Sequence, residues 1–496
     1  MDRDLFEHYF EDETRLGPAP EGAFTGAAGG AACGDYARLS LCVEGGRIAD
    51  VSFDSEGCGA TRAATAAVAE MVDGAPPLEA ALISIDDAAD ALGGLIPSKR
   101  HAAQLASDAL HRALSQAAAS SLPLDPGVAA SLPPVVSPSA PDRVAIAMSG
   151  GVDSAVAALL ERERGAEVVA ITVKLWADPE TDGSKACCSP EAVLGARGLA
   201  HSLGIPHFTL DLEEEFRRRV VERFIDGYAS GSTPNPCILC NGEVRIAAML
   251  DLAERLGADR LVTGHYAGIT ADAEGPLLVA GADPAKDQSY MLAALPPELL
   301  GRLSFPLTEL SKAEVREIAA RHDLPVARKA ESQDLCFLAG QGKSGFLRRH
   351  GGLRDREGAV IDRSGRALGR HSGHHNFTVG QRRGIGVSAE EALYVIATDA
   401  GANTVTVGTR AELATRRIEV RDAVLHRPGE RVDAVRLRYH SRALPARVEA
   451  GVGRHPRLSV ELGEPFTAAS PGQTAVLLAG EAVVGHGTIV AAPPVA

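Results

Sequence analysis

No stretch of this chain approaches the roughly 20 uninterrupted apolar residues of a membrane-spanning helix, so no association with a membrane is expected. The opening Met-Asp-Arg-Asp-Leu-Phe-Glu is acidic where a secretory leader is basic and then apolar, which argues against export. Cysteine is sparse. Eight cysteines in 496 residues without a leader do not suggest a disulfide framework, which leaves metal ligands, catalytic thiols or small buried hydrophobes. Aromatics are 4% of the residues with a single Trp, whereas Gly and Pro number 52 and 29, so turns are many. Lysine is scarce too: 43 of the 50 cationic side chains are Arg, which suits bidentate phosphate contact but also follows from a GC-rich genome. What is present, 45% hydrophobic and 23% charged residues, can bury real cores and is neither disordered nor fibrous. At roughly 150 residues per domain, the expectation is a soluble, cytoplasmic protein of about three domains.

The net charge of −15 argues against nucleic acid until its distribution is read. Residues 1–140 hold 8 basic and 20 acidic side chains, whereas residues 345–450 hold 19 Arg and 12 acids, a local charge of +7. One end is therefore suited to a polyanion and the other is not.

Residues 116–142, with six prolines among Ala, Ser and Val, read as a semi-extended linker. Before it, strands at Leu39–Val43 and Ile48–Phe53 precede Ala-rich helices at Ala60–Val72 and His101–Ala118, an α+β order. After it, strands at Arg143–Met148, Glu167–Val173, His207–Leu210 and Arg260–Thr263 alternate with helices, which predicts a doubly wound parallel α/β sheet. Beyond about residue 340, short alternating runs predict small β-rich, barrel-like modules. The expected division is 1–115, linker 116–142, 143–340, 341–415 and 416–496.

Ser149-Gly150-Gly151-Val152-Asp153-Ser154 follows a strand and opens a helix. Its glycines let the backbone wrap tightly, and unpaired N–H groups at the helix start form a pocket for anionic oxygens. No Lys follows the glycines, so this is not a Walker A loop; it resembles the PP-loop of ATP pyrophosphatases, which split ATP to AMP and pyrophosphate. Thr233-Pro234-Asn235-Pro236-Cys237-Ile238-Leu239-Cys240-Asn241 places two thiols three residues apart at a helix start, where thiolate is favoured. A third thiol, Cys336, lies in Ser332-Gln333-Asp334-Leu335-Cys336-Phe337. These cysteines suit an iron–sulfur cluster, a persulfide relay or, with Cys187-Cys188 as a further source of ligand, structural zinc.

Together these segments resemble the tRNA-specific 2-thiouridylase family over roughly residues 142–496. The resemblance extends to Thr263-Gly264-His265-Tyr266, Lys286-Asp287-Gln288-Ser289-Tyr290, Phe377-Thr378-Val379-Gly380-Gln381-Arg382-Arg383-Gly384, Arg438-Tyr439 and Pro471-Gly472-Gln473. It implies Cys240 as nucleophile and Cys336 as persulfide carrier, linked transiently by a disulfide, with Cys237 as relay partner or third ligand of a 4Fe–4S cluster. It implies ATP, with Mg2+, on Ala147 to Ser154, Val173 and Gly264. It implies base contacts at Asn235, Pro236 and Cys237, and tRNA contacts at His265, Lys286, Asp287, Gln288, Arg438, Tyr439 and Gln473. The family often has Arg-Tyr-Arg where this chain has Arg438-Tyr439-His440, which loses a permanent charge.

The implied reaction starts from a poor leaving group, the C2 oxygen of the wobble uridine. ATP adenylates that oxygen, pyrophosphate departs, and sulfur displaces AMP from C2. The sulfur arrives either as a persulfide on Cys336 that Cys240 resolves, or as sulfide on a cluster's open iron. The donor would be a cysteine desulfurase, a relay protein or inorganic sulfide.

Cys33-Gly34-Asp35, Glu56-Gly57-Cys58-Gly59-Ala60 and Pro97-Ser98-Lys99-Arg100-His101 resemble, in order, the NifU/IscU-type iron–sulfur scaffold over about residues 1–115. The implied ligands are Cys33, Asp35, Cys58 and His101, for zinc or an iron–sulfur centre; Ala102 stands where the family has a third Cys. On its tether this unit would reach several tens of ångströms, far enough to deliver iron or sulfur to the thiols. Two other readings remain: another AMP-forming PP-loop ligase, and a non-catalytic iron–sulfur assembly factor.

Overall fold

The computed structural model describes residues 2–30, 34–120, 122, 135–136, 142–176, 178, 189–330, 335–338, 341–467 and 469–491. Cys33, Cys187, Cys188 and most of the expected linker lie outside the described residues.

The N-terminal unit opens with helix α1 (Arg3–Glu11) and an antiparallel sheet of β1 (Phe24–Gly29), β2 (Tyr36–Glu44) and β3 (Arg47–Glu56), in that spatial order. Gly45 and Gly46, at φ +57° and +77°, make the tight β2–β3 turn that other residues adopt only with strain. Helix α2 (Gly59–Val72), the short α3 (Pro77–Ala80) and α4 (Ile85–Asp90), and the long α5 (Arg100–Ala119) follow. Strand β1 is absent from the sequence reading because Phe-Thr-Gly-Ala-Ala-Gly holds few strand formers. Gly26 is what seats it: a Cβ there would overlap the Ala109 carbonyl and the Ala113 amide of α5.

The second unit holds parallel strands β4 (Arg143–Ala147), β5 (Glu167–Lys174), β6 (His207–Asp211) and β7 (Arg260–Thr263), a hairpin of β8 (Ala267–Asp272) and β9 (Gly275–Ala280), and the two-residue β10 (Leu303–Ser304). The sheet order is β10-β7-β4-β5-β6. The doubly wound parallel sheet expected from sequence is present, and its strand order reverses between β4 and β7, where such sheets bind ligands. Its helices are α6 (Val152–Glu163), α7 (Pro190–Ser202), α8 (Glu213–Phe216), α9 (Glu222–Ala229), α10 (Pro236–Leu239), α11 (Ile246–Arg255), α12 (Ser289–Leu292), α13 (Pro297–Leu300) and α14 (Lys312–Arg321).

A parallel sheet must be covered on both faces. Val144, Ile146, Val168 and Ala170 pack with α6, α7 and α14 on one face. The alternating residues Ala145, Val169 and Ile171 face the other, in one continuous core with α11 and with α5 of the N-terminal unit. Thirteen of the 20 residues of α5 are buried. The edge strand β6 donates its Thr209 amide to Ser115 Oγ (3.0 Å), and Arg255 of α11 donates to the Ala117 carbonyl (3.1 Å). Arg197 of α7 pairs with Asp108 of α5, both side chains nearly buried. The expectation of a freely reaching N-terminal unit is therefore corrected: it is docked, because α5 covers apolar sheet surface that would otherwise face water. At 1.5 Å per residue, His101 stands about 21 Å along α5 from Ser115.

After α15 (Gly342–His350), a four-stranded sheet runs β12 (Ala367–His371), β11 (Gly358–Ile361), β14 (Thr404–Gly408) and β13 (Tyr394–Asp399). The last unit contains β15 (Thr415–Leu425), β16 (Ala434–Arg436), β17 (Leu444–Arg447), β18 (Gly453–Phe466), β19 (Thr474–Ala479) and β20 (Ala482–Ala491). They close as a six-stranded barrel through the β15–β20 pairing, which removes free edges. Strand β20 also pairs with β9, so the barrel is hydrogen-bonded to the parallel-sheet unit. No helix among the described residues is long and apolar enough to cross a membrane.

Candidate active site and metal centre

The Ser149–Ser154 loop leaves the C-terminal end of β4 at the point where strand order reverses. Ala147 is the last residue of β4, Met148 N–H bonds the Ile171 carbonyl (2.8 Å), and Val173 lies near the end of the adjacent β5. Gly150 sits at φ +69°, in the left-handed region. Ser154 Oγ accepts from the Ser149 amide (3.2 Å) and donates to the Gly151 carbonyl (3.1 Å), closing the loop on itself. Gly264, just past β7, passes so close that a Cβ would stand 2.7 Å from Asp153 C and Ser154 N.

Asp153, in the first turn of α6, is held from outside the loop. Lys312 Nζ bonds both of its carboxylate oxygens at 2.7 Å, and Tyr266 Oη donates to Oδ1 at 2.8 Å. Lys329 Nζ donates to the Gly150 carbonyl at 2.8 Å. Neither lysine lies in a recognisable motif; their one distinction in the sequence is to be two of seven in a chain that otherwise uses Arg.

The thiol segment is built differently. Asn235 caps α10 by accepting from the Cys237 and Ile238 amides (3.1 and 3.4 Å). The helix then widens into a π-turn over Cys240–Arg245 before α11, a distortion common at functional sites. Cys240 is buried and Cys237 half-buried. Cys336 is half-buried and packs on the same apolar cluster as Cys240, beside Phe337, whose ring meets Phe216, Phe224 and Phe346.

Three distant motifs converge on this segment. Thr233 N–H bonds the Pro471 carbonyl (2.8 Å), Gln473 Nε2 donates to the Thr233 carbonyl (2.7 Å), and Thr233 Oγ1 donates to Thr378 Oγ1 (3.2 Å). Gly472 has no room for a side chain, since a Cβ would lie 2.8 Å from Thr233. Arg245, five residues past Cys240, donates to Asn241 Oδ1 (2.5 Å) and to His265 Nε2 (3.0 Å). His265 Nδ1 pairs with Thr263 Oγ1 (2.7 Å), and burial followed by the Arg245 charge pushes its pKa down to about 3, so the ring is neutral. His265 thus points inward as a connector.

The Lys286–Gln288 segment locks onto the same turn: Gln288 N–H bonds the Tyr266 carbonyl (2.8 Å) and Gln288 Oε1 accepts from the Tyr266 amide (3.1 Å). Asp287 is buried, accepting from Ser289 and from Arg436 Nη1 (2.5 Å), which ties this unit to the barrel. Tyr290 Oη donates to the Thr474 carbonyl (2.8 Å), and its ring lies 6.1 Å from Tyr439. The Tyr439 hydroxyl is pushed up by burial and then by the charges of Asp287 and Cys237. His440, whose ring lies 3.8 Å from that of Tyr439 at a tilt of 42°, holds φ +57°, an uncommon conformation for a non-glycine residue.

Family models agree with this architecture: the NifU-like N terminal domain matches residues 2–121, the tRNA methyl transferase HUP domain 142–340, the tRNA methyl transferase PRC-barrel domain 344–409 and the aminomethyltransferase beta-barrel domain 416–489. A bifunctional protein NifU/MnmA of Rubrobacter xylanophilus is 46% identical over 94% of this chain and 93% of its own length. The tRNA-specific 2-thiouridylase MnmA of Geobacter metallireducens is 41% identical over 71% of this chain and 97% of its own. That of Sorangium cellulosum is 42% identical over 72% and 94%. The chain belongs to the tRNA-specific 2-thiouridylase family, fused to a NifU-like domain.

In the NifU-like domain, ligand atoms of Asp35, Cys58 and His101 lie within 4.8 Å of one another. Asp35 Oδ1 accepts from the Cys58 amide (3.0 Å), while Oδ2 accepts from Thr61 Oγ1 (2.7 Å) and pairs with His101 Nε2 (3.0 Å). Burial raises the Asp35 pKa, but hydrogen bonds from Cys58, Thr61 and His101 outweigh it and hold the carboxyl well below the ordinary range. The atoms offered are one sulfur, one nitrogen and one oxygen, a set that fits zinc or iron with one more ligand. Ala102 is fully buried and contributes no donor.

Proposed function

We propose that this protein replaces the C2 oxygen of the tRNA wobble uridine with sulfur, using ATP and releasing AMP and pyrophosphate. One chain of contacts carries the reading: from the Cys240 helix through Arg245 to His265, and from its neighbour Tyr266 to Asp153 of the phosphate loop. The Cys237–Cys240 segment and the Ser149–Ser154 loop are thereby joined to the same turn after β7, which suits a reaction that brings ATP, a base and sulfur together.

The loop Ser149–Ser154, with Ala147, Met148, Val173 and Gly264 around it, offers backbone N–H groups to the α- and β-phosphates. Mg2+ would supply charge neutralisation at the departing pyrophosphate. The uridine enters beside Asn235, Pro236 and Cys237, flipped out of the anticodon stack. Its adenylated C2 is attacked by sulfur carried on Cys336, and Cys240 resolves the carrier as a disulfide that an external thiol reduces. The alternative, a 4Fe–4S cluster on Cys237, Cys240 and Cys336, uses the same thiols as ligands.

Lys286, Gln288, Arg438, Tyr439, Gln473 and the arginine-rich 345–450 region contact tRNA, chiefly its phosphates, in the cytoplasm. The NifU-like domain holds a metal on Asp35, Cys58 and His101 with Cys33, and receives iron or sulfur from a donor protein. Incubating the full chain with unmodified tRNA, ATP and a sulfur donor, either a cysteine desulfurase with cysteine to load a persulfide or sulfide for a cluster, tests this: 2-thiouridine and AMP should form in equal amounts. ATP consumption without thiolated nucleoside would favour another PP-loop ligase; neither product would favour a non-catalytic assembly factor.

A further inference from the structure

A nucleoside triphosphate brings about four negative charges to a loop whose one ionised side chain, Asp153, is itself negative. Resting on the ATP reading above, the difficulty is where the compensating cations come from. The loop contains none: Ser149 to Ser154 holds no Lys or Arg.

Two lysines close on it from far along the chain. Lys312, the first residue of α14, is largely buried and bonds both Asp153 oxygens. It also lies 5.8 Å from the centre of the Tyr266 ring, the same residue whose hydroxyl bonds Asp153. Lys329 reaches the loop's own main chain, at the Gly150 carbonyl. Each ammonium thus touches the loop through an oxygen that a phosphate can replace. A neutral carbonyl is a weaker acceptor than a phosphate oxygen. The Asp153 carboxylate, for its part, would be freed to face a cation that accompanies the nucleotide.

Residue type supports the same reading. A fixed structural ion pair is well served by Arg, which this chain uses for 43 of its 50 cations. A lysine is a compact charge on a flexible stem with three rotatable donors, suited to follow an oxygen as a phosphate moves.

We propose that Lys312 and Lys329 bind the β- and γ-phosphates of ATP and carry the charge of the departing pyrophosphate. Titration calorimetry of the full-length protein with Mg–ATP and, separately, with AMP tests it in wild type, Lys312→Gln and Lys329→Gln. Each Gln variant should bind Mg–ATP at least about tenfold more weakly while binding AMP within about twofold of wild type. A variant that binds Mg–ATP like wild type removes that lysine from the assignment. A variant that loses ATP and AMP equally shows that the lysine only shapes the loop. Wild type binding neither nucleotide would refute the ATP reading itself, a separate outcome. Lys329→Gln removes one bond to a main-chain carbonyl, so it keeps the test open should Lys312→Gln fail to fold.

Discussion

Asp108→Ala isolates the contact between the NifU-like domain and the parallel-sheet unit. In the native chain the Asp108 carboxylate is paired with the Arg197 guanidinium, and their side chains are 12% and 8% exposed. Removing the acid leaves a guanidinium desolvated and unpaired, a change that typically costs about 3–5 kcal/mol. The reporter is the Thr209 amide of β6, which donates to Ser115, about two helical turns along the same face of α5 from Asp108. If undocking of α5 is what exposes that amide, a loss of 3–5 kcal/mol accelerates its hydrogen exchange by roughly a hundredfold or more. Mass-spectrometric exchange of peptides spanning β6 and α5 reads this directly. The double variant Asp108→Leu with Arg197→Met, which replaces the pair by apolar volume, should recover most of the protection. Exchange in Asp108→Ala within threefold of wild type would refute the claim that α5 is a structural layer of the second sheet.

Cys240→Ser and Cys336→Ser should each abolish thiolation, because a hydroxyl neither carries transferable sulfur nor binds soft iron well; robust turnover by Cys336→Ser would show the sulfur route to be wrong. Cys237→Ser should retain most activity in a Cys240–Cys336 cycle and lose it if a cluster is the agent. Gly264→Ala places a methyl 2.7 Å from the Asp153 and Ser154 backbone and should cost about 1–3 kcal/mol of stability together with nucleotide affinity, measured by melting and titration. His111 and His207, buried between α5, α7 and β6, are held neutral chiefly by burial and then by the Arg197 charge. Unfolded, each binds a proton below about pH 6.5, so stability present above that pH is lost as pH falls, by up to about 1.4 kcal/mol per unit for each ring. Urea titrations of wild type and His207→Gln from pH 7 to 5 should show the shallower acid loss in the variant.

The phosphate loop was legible because glycines, spacing and strand–turn–helix context leave few other structures for Ser149–Ser154. The parallel sheet was legible from the apolar runs of β4 and β5, and the C-terminal β-rich modules from alternation. Docking of the N-terminal unit was not. An Ala-rich helix such as α5 reads as ordinary core, and nothing local says that Asp108 will meet Arg197, 89 residues away. The lysines on the loop act across 159 and 179 residues, beyond any local pattern. Asp287 and His265 stood out as polar residues in motifs, yet only the fold shows them turned inward on Arg436 and Arg245.

The central claim is that ATP activates the C2 oxygen of the wobble uridine, and the fate of that oxygen tests it most directly. A tRNA carrying 18O at C2 of that uridine should be incubated with the protein, ATP and a sulfur donor (a cysteine desulfurase with cysteine, or sulfide), and the AMP analysed by mass spectrometry. Each AMP released should carry one 18O in its phosphate, in equal amount to the 2-thiouridine formed. Thiolation with unlabelled AMP, or with the label in pyrophosphate or inorganic phosphate, would contradict adenylation at C2.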